Sequence, residues 1–186
     1  MKVVRWQLAV AILALAVSTA AAGEGRLFWL AVVLALQTVL VGAVARGSNG
    51  GAEAQIARSR PSRSLVALAC VGVGPWLVYA LHMWALNRRG EPGDVSIGID
   101  HYAMQGALGL ALALIPGVVA VRREQPAFAA ACVGVAATYL GLVSLRRPEA
   151  LAGFTRFWSI AAVAWGLALV VSTLRSARVA AAPSRS

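Results

Sequence analysis

The sequence predicts an all-helical, polytopic transmembrane bundle of six helices, and three observations support this fold class. Sixty per cent of the 186 residues are apolar, and the mean hydropathy is +0.75. Charged residues make up only 13% of the chain, about half of their share in soluble globular proteins. The apolar residues form six stretches of roughly twenty, the length that a helix needs to cross a hydrocarbon core about 30 Å thick. We therefore expect one transmembrane domain over residues 1–178.

The six predicted spans, numbered in chain order, cover about residues 3–22, 27–45, 64–86, 101–121, 126–145 and 157–174. Membrane-crossing strands are not expected, because barrel strands are segments of about ten residues with alternating polarity. The spans are longer than that and apolar on all sides.

The gaps between the spans determine which helices are neighbours. Gly23–Arg26 joins the first two spans as an antiparallel hairpin, and Arg122–Gln125 does the same for the fourth and fifth. Pro126 suits the first turn of the fifth helix, where its missing N–H would have no partner in any case. The longest gap, 46–63, predicts a flexible loop, and the Ala-Pro-Ser composition of residues 179–186 predicts a disordered tail.

Basic residues predict that both termini are cytoplasmic, because loops on that side carry the excess of Lys and Arg. In this orientation eleven basic residues lie inside: Lys2, Arg5, Arg46, Arg58, Arg60, Arg63, Arg122, Arg123, Arg175, Arg178 and Arg185. Six lie outside: Arg26, Arg88, Arg89, Arg146, Arg147 and Arg156. An aromatic belt at the predicted outer interface agrees with this orientation.

The first span has an alternative interpretation as a signal peptide. Lys2 and Arg5 precede an apolar run that ends in Ala20-Ala21-Ala22-Gly23, which resembles a cleavage site. Cleavage there would leave five spans. We favour an uncleaved helix, because the second span begins at Leu27 and would hold the site against the membrane surface.

Small residues recur at helical spacing in the last three spans. Helices in lipid associate largely through close backbone approach at such residues, so these faces predict contacts inside one bundle, with a homodimer contact as the alternative. They are Gly106, Gly109 and Ala113; Ala130, Gly134, Thr138 and Gly141; and Ala162 and Gly166. Pro75 and Pro116 lie mid-span and are expected to kink their helices.

Several function classes are not expected from this composition. No Asp, Glu, Lys or Arg lies in the middle of a predicted span, where ion-coupled carriers and proton relays usually keep such groups. A retinal protein needs a mid-span lysine, and Lys2 is the chain's only lysine. Paired carboxylates, a zinc-spaced His/Cys set and a phosphate-binding glycine loop are also missing from the sequence. An enzyme is therefore not the first expectation.

The net charge of +10 and the isoelectric point of about 11.4 are typical of nucleic-acid binding in soluble proteins. Here the basic residues lie at span ends, where they set topology and meet lipid headgroups. The expected partners are the bilayer and, at the inner face, anionic headgroups near the four arginines of residues 46–63. Nucleic acid is not expected.

One polar cluster lies at the predicted outer ends of the third and fourth spans. Both histidines of the chain, His82 and His101, lie there with Met83 and Met104. Two histidines with two methionines can bind copper, and two histidines can ligate haem. These four residues are the candidate metal ligands, and the two histidines are the candidate cofactor ligands.

A structural interpretation of the same cluster competes with metal binding. In it, His101 pairs with Asp100 or headgroups, His82 hydrogen-bonds to Gln105 or Tyr79, and the methionines fill space. By spacing, Pro75, Tyr79 and His82 share one helix face. A third interpretation is a small-molecule pocket, for which Tyr79, Gln105 and the second-span Gln37 are the polar candidates.

Cys70 and Cys132 each lie about six residues from the predicted cytoplasmic end of a span. A disulfide is not expected in that reducing compartment. We expect both to act as small apolar packing residues.

The run Ile97-Gly98-Ile99-Asp100-His101-Tyr102-Ala103-Met104-Gln105-Gly106-Ala107-Leu108 resembles a segment of uncharacterised multi-pass membrane proteins of high-GC actinobacteria. The resemblance covers about one span and the loop before it. It implies a bacterial plasma membrane protein and implies no activity.

These observations favour a non-enzymatic accessory or small-molecule-handling component of the membrane. The alternatives are a membrane redox protein with haem or copper at His82 and His101, and a facilitator for a neutral solute. A protein partner or a homo-oligomer is compatible with each of them.

Overall fold

The computed structural model describes residues 2–23, 25, 28, 31–33, 35–36, 63–92, 95–96, 99–121, 127–149 and 152–181. The described residues of every predicted span are helical. The helices of the first, third, fourth, fifth and sixth spans are Lys2–Ala22, Arg63–Arg88, His101–Val121, Ala127–Arg146 and Arg156–Ala181. The described residues of the second span, 28, 31–33 and 35–36, are also helical.

For the five helices whose bounds are described, the predicted boundaries agree with the observed ones to within two residues, with one exception. The ends of the second predicted span, 27–45, lie outside the described residues. The sixth-span helix continues to Ala181, so its last three residues lie in the segment predicted as a disordered tail. Pro75 and Pro116 both lie inside continuous helices. The sequence did not predict the two-residue strands Val95–Ser96 and Ile99–Asp100, which pair antiparallel before the fourth-span helix.

Two glycines with positive φ end helices, and only the connection at Gly23 was predicted from the sequence. Gly90 has a φ of 65°, its N–H donates to Asn87 O at 3.1 Å, and Glu91 N–H donates to Leu86 O at 3.3 Å. This pair of hydrogen bonds is the Schellman motif, which satisfies the last carbonyls of a helix when the residue after its end is left-handed. Gly23, with a φ of 76°, ends the first-span helix in a related way, since its N–H donates to Thr19 O.

The chain forms two compact units. Unit A comprises Met1–Ile56 and Val73–Leu114, and unit B comprises Ala57–Gly72 and Ile115–Ser186. The third- and fourth-span helices each contribute to both units, and the divisions fall within three residues of Pro75 and Pro116.

The core of unit A consists mainly of alanines and a tryptophan from four spans. Its buried members are Ala14, Leu15, Ala22, Ala31, Ala80, Trp84, Ala103, Ala107 and Leu110. Gly106 and Gly109 were predicted as a contact face, and this is confirmed. Gly106 lies against the indole of Trp84, and a Cβ on Gly109 would lie 3.2 Å from the carbonyl oxygen of Trp76.

In unit B the fifth- and sixth-span helices pack closely against each other. The predicted faces at Gly134, Gly141 and Gly166 are confirmed, since each glycine lies against backbone of the opposite helix. Gly141 faces Ser159 and Val163, whereas Gly134 faces Gly166 and Leu169, so the two helices are antiparallel. Small residues fill the same interface, with Ala130 1% exposed, Ala137 0% and Ser159 0%.

The described helices expose many large apolar side chains, and many of their buried positions hold small residues. Leu81 is 60% exposed, Val78 67% and Val135 61%, whereas many of the buried positions are alanine, serine or threonine. Large exposed apolar patches are rare on soluble proteins, and small buried contacts are typical of helices packed in lipid. Among the residues that the structure describes, four helices are long and apolar enough to cross a membrane: Arg63–Arg88, His101–Val119, Ala129–Arg146 and Arg156–Arg175.

Candidate functional site

The polar ends of the third and fourth spans meet in unit A. The hydroxyl of Tyr79 donates a hydrogen bond to Gln105 Oε1 at 3.2 Å. Tyr79 is 6% exposed, and its ring contacts that of Trp76 edge to face at a centroid distance of 6.0 Å. Two of the three predicted pocket residues are therefore partners of each other.

The first span contributes to the same end of unit A, which the sequence did not predict. Trp84 Nε1 donates to Ser18 Oγ at 3.0 Å, and both residues are buried. Asn87 Nδ2 donates to the carbonyl oxygen of Ala22 at 3.0 Å. These bonds join residues 66 and 65 positions apart. Periodicity within one span gives no signal for such pairs.

Asn87 has one unused polar atom. Its Oδ1 is buried and has no hydrogen-bond partner, whereas its Nδ2 is bonded to Ala22 O. If the Asn87 amide were flipped, its Oδ1 would face the carbonyl oxygen of Ala22, and neither oxygen can donate. The bond to Ala22 therefore fixes the orientation of the amide. A buried acceptor of this kind is a place for one water molecule or one donor group.

His82 lies on the outward surface of the third-span helix. It is exposed, as is Pro75, whereas Tyr79 is buried. The three residues occupy adjacent positions around the helix. Tyr79 lies on the buried side, and Pro75 and His82 lie on the exposed side. His82 therefore faces the same way as Val78 and Leu81, while Tyr79 takes Gln105 as its partner instead of His82.

The four predicted metal ligands differ in exposure. His82 is exposed and His101 half-buried, whereas Met83 is 0% exposed and Met104 37%. Within the described ranges, no three His, Cys, Asp or Glu side chains form a group that would hold a metal ion. Haem or copper at His82 and His101 stays a prediction.

Residues beside the cluster hold the loop between the third and fourth spans. The hydroxyl of Tyr102 donates to the carbonyl oxygen of Pro92 at 3.0 Å, and Tyr102 is 4% exposed. This bond connects the first turn of the fourth-span helix to the chain that follows the Gly90 turn.

Three further residues were singled out in the sequence, namely Gln37, Cys70 and Cys132. Gln37 lies outside the described residues. Cys70 and Cys132 are free thiols and both are exposed, so they do not fill the interior as expected. Each lies on the outward face of its helix, where a thiol acts as a small apolar group.

The arrangement is suited to holding helices together. Tyr79, Trp84 and Asn87 each donate to a group on another span. Hydrogen bonds of this kind between transmembrane helices contribute about 0.6 kcal/mol on average.

Comparison of the chain with protein-family models, with curated proteins and with solved structures finds no match.

Proposed function

We propose that this chain is a six-span integral protein of a bacterial plasma membrane, with a non-enzymatic accessory or small-molecule-handling role. One observation carries the membrane assignment. On the described helices, many large apolar side chains are exposed, while alanine, glycine, serine and threonine occupy many of the helix contacts. Exposed apolar side chains are favourable when hydrocarbon surrounds the helices, whereas exposing them to water costs free energy.

Packing in unit A supports counting the first two spans as membrane helices. Ala14 and Ser18 of the first span are 1% and 0% exposed, and Ser18 accepts the bond from Trp84. In the second span Ala31 is 5% exposed and belongs to the core, whereas Leu36 is 64% exposed. Removing the first span as a signal peptide would uncover this core and leave Trp84 Nε1 without its acceptor.

The distribution of basic residues supports cytoplasmic termini. Eleven of seventeen basic residues fall on the side of the termini, which is the side where positive loops accumulate. The resemblance of residues 97–108 to actinobacterial membrane proteins supports the bacterial location.

The use of the polar side chains supports a non-catalytic role. Of the polar cluster, Tyr79 and Gln105 are partners of each other, and Tyr102 holds a loop. The single O–H of Tyr79 would have to give up its bond to Gln105 before it could donate to a substrate. An accessory role requires a protein partner. The partner would bind a surface other than the Gly134–Gly166 interface, because those two glycines already contact each other.

Membrane fractionation tests the location. We expect the protein to stay in the membrane pellet through alkaline washing and to be released only by detergent. Release without detergent would refute the assignment. The intact mass of the purified protein tests the first span, because cleavage after Ala22 would remove the residues that include Ser18.

Cysteine labelling tests the orientation. In a Cys70→Ser/Cys132→Ser background, Glu149→Cys should react with a membrane-impermeant maleimide on intact cells. Ser184→Cys should react only after the membrane is permeabilised. The reverse pattern would invert the proposed topology and leave the membrane assignment intact.

A further inference from the structure

We propose that the hairpin between the fifth and sixth spans binds an anionic phospholipid through an arginine–aromatic patch. The patch consists of Arg146, Arg147, Arg156, Phe157 and Trp158. This inference rests on the proposed membrane location, and it does not depend on which leaflet the hairpin faces.

Helix packing brings the three arginines to one end of unit B. Gly141 faces Ser159 and Val163 across the antiparallel helix pair. Arg146 lies five residues beyond Gly141, and Arg156 lies three residues before Ser159. At a rise of about 1.5 Å per residue, both lie roughly 5–8 Å beyond that contact in the same direction. All three arginines are exposed.

Each arginine has an exposed apolar side chain one helical turn deeper on its own helix. Residues four apart lie on the same helix face. Leu142 (50% exposed) lies below Arg146, Val143 (40%) below Arg147, and Ile160 (56%) below Arg156. The Arg147 N–H donates to Val143 O at 3.1 Å, so the helical turn extends to Arg147. A cationic head above apolar surface matches a phosphate above its acyl chains.

The aromatic pair lies beside these arginines. Phe157 is 71% exposed and Trp158 48%, and their rings meet edge to face with centroids 5.3 Å apart. Exposed aromatic residues at the ends of spans are typical of the headgroup level of a membrane.

Charge favours an anionic ligand, and the apolar surface favours a lipid over a soluble anion. Three of the six basic residues on the predicted outer side lie in this one hairpin. Glu149 is exposed, and no ion pair joins it to the arginines among the residues that the structure describes. A free phosphate would use only the arginines, whereas a phospholipid also covers Leu142, Val143 and Ile160.

Arg88 and Arg89 provide a matched control at the end of another span. Both are exposed arginines at a helix C-terminus. One turn below them lie Trp84, which is 9% exposed, and the half-buried Ala85. They offer the same charge without the exposed apolar side chains.

The test is native mass spectrometry of the detergent-purified full chain with equimolar phosphatidylglycerol and phosphatidylcholine of identical acyl chains. We expect the protein to retain phosphatidylglycerol preferentially. R146Q/R147Q should reduce that preference by about fivefold for each arginine removed, as expected for about 1 kcal/mol per basic residue near a charged lipid surface. R88Q/R89Q should keep it.

Three outcomes would overturn the proposal. They are equal retention of the two lipids by the unchanged chain, an equal loss in R88Q/R89Q, and full competition by soluble glycerol phosphate. Circular dichroism and gel filtration establish that each variant is folded before lipid is added, and R156Q provides a second variant. Failure of the proposed membrane location would instead appear as protein that needs no detergent.

Discussion

Gly134 and Gly166 meet across the fifth- and sixth-span helices with no side chain between them. A Cβ added to Gly134 would lie 2.6 Å from the carbonyl oxygen of Gly166, and one added to Gly166 would overlap the carbonyl oxygen of Gly134. Thr138 fills the adjacent space, and its hydroxyl donates to Gly134 O at 2.8 Å. Glycine is therefore required sterically at both positions.

Gly166→Ala is expected to destabilise the protein by about 1–3 kcal/mol, because the added methyl group forces the helices apart. Gly117→Ala is the matched control, since nothing lies within 4 Å of a Cβ at Gly117. The control should be neutral or stabilising by up to about 1 kcal/mol, since alanine favours helix. Thermal unfolding in one detergent measures both variants. Equal effects at the two positions would contradict the close contact.

Ser18→Ala and Trp84→Phe are expected to be coupled, because their side chains share a buried hydrogen bond of 3.0 Å. A double-mutant cycle should give an interaction energy of about 0.5–1.5 kcal/mol. Ser18→Ala with Trp158→Phe is the control pair, because Trp158 is 48% exposed and its ring contacts Phe157. That pair should be additive. Additivity of Ser18→Ala with Trp84→Phe would show that the first span does not pack as described.

Gly72→Ala should destabilise unit B, because the new methyl group would overlap the indole of Trp165. Trp165 is held at this place by its Nε1, which donates to Leu68 O at 2.8 Å. We expect a loss of about 1–3 kcal/mol. Introducing Trp165→Leu first should reduce the additional cost of Gly72→Ala, since the smaller side chain leaves room for the methyl group. If Gly72→Ala destabilises the protein equally with and without Trp165→Leu, the overlap with Trp165 is not the cause of the destabilisation.

His82→Ala should change the free energy of unfolding by no more than about 0.5 kcal/mol, because His82 lies on the outward surface. The absorption spectrum and metal content of the purified protein should be the same with and without it. His101→Ala serves as the comparison, since His101 is half-buried. Stoichiometric haem or copper that disappears in His82→Ala would instead establish the redox alternative.

The sequence alone predicted the bounds of the five described helices to within two residues, apart from the C-terminal end of the sixth-span helix. Hydrocarbon thickness sets the length of an apolar span, so length and composition are enough to locate Arg63–Arg88 and His101–Val121. Small-residue spacing also predicted the contacts at Gly109, Gly134 and Gly166, because close backbone approach needs residues without bulk.

Tertiary structure alone decided which face of each span points inward. Spans that are apolar on all sides carry little periodic signal. Spacing could therefore predict that Tyr79 and His82 lie near each other, but it could not predict that Tyr79 is buried and His82 exposed. The bonds of Trp84 to Ser18 and of Trp165 to Leu68 join residues 66 and 97 positions apart. Such pairs depend on which helices are neighbours and on their relative rotation. These are properties of the packed bundle, and the pattern within a single span does not contain them.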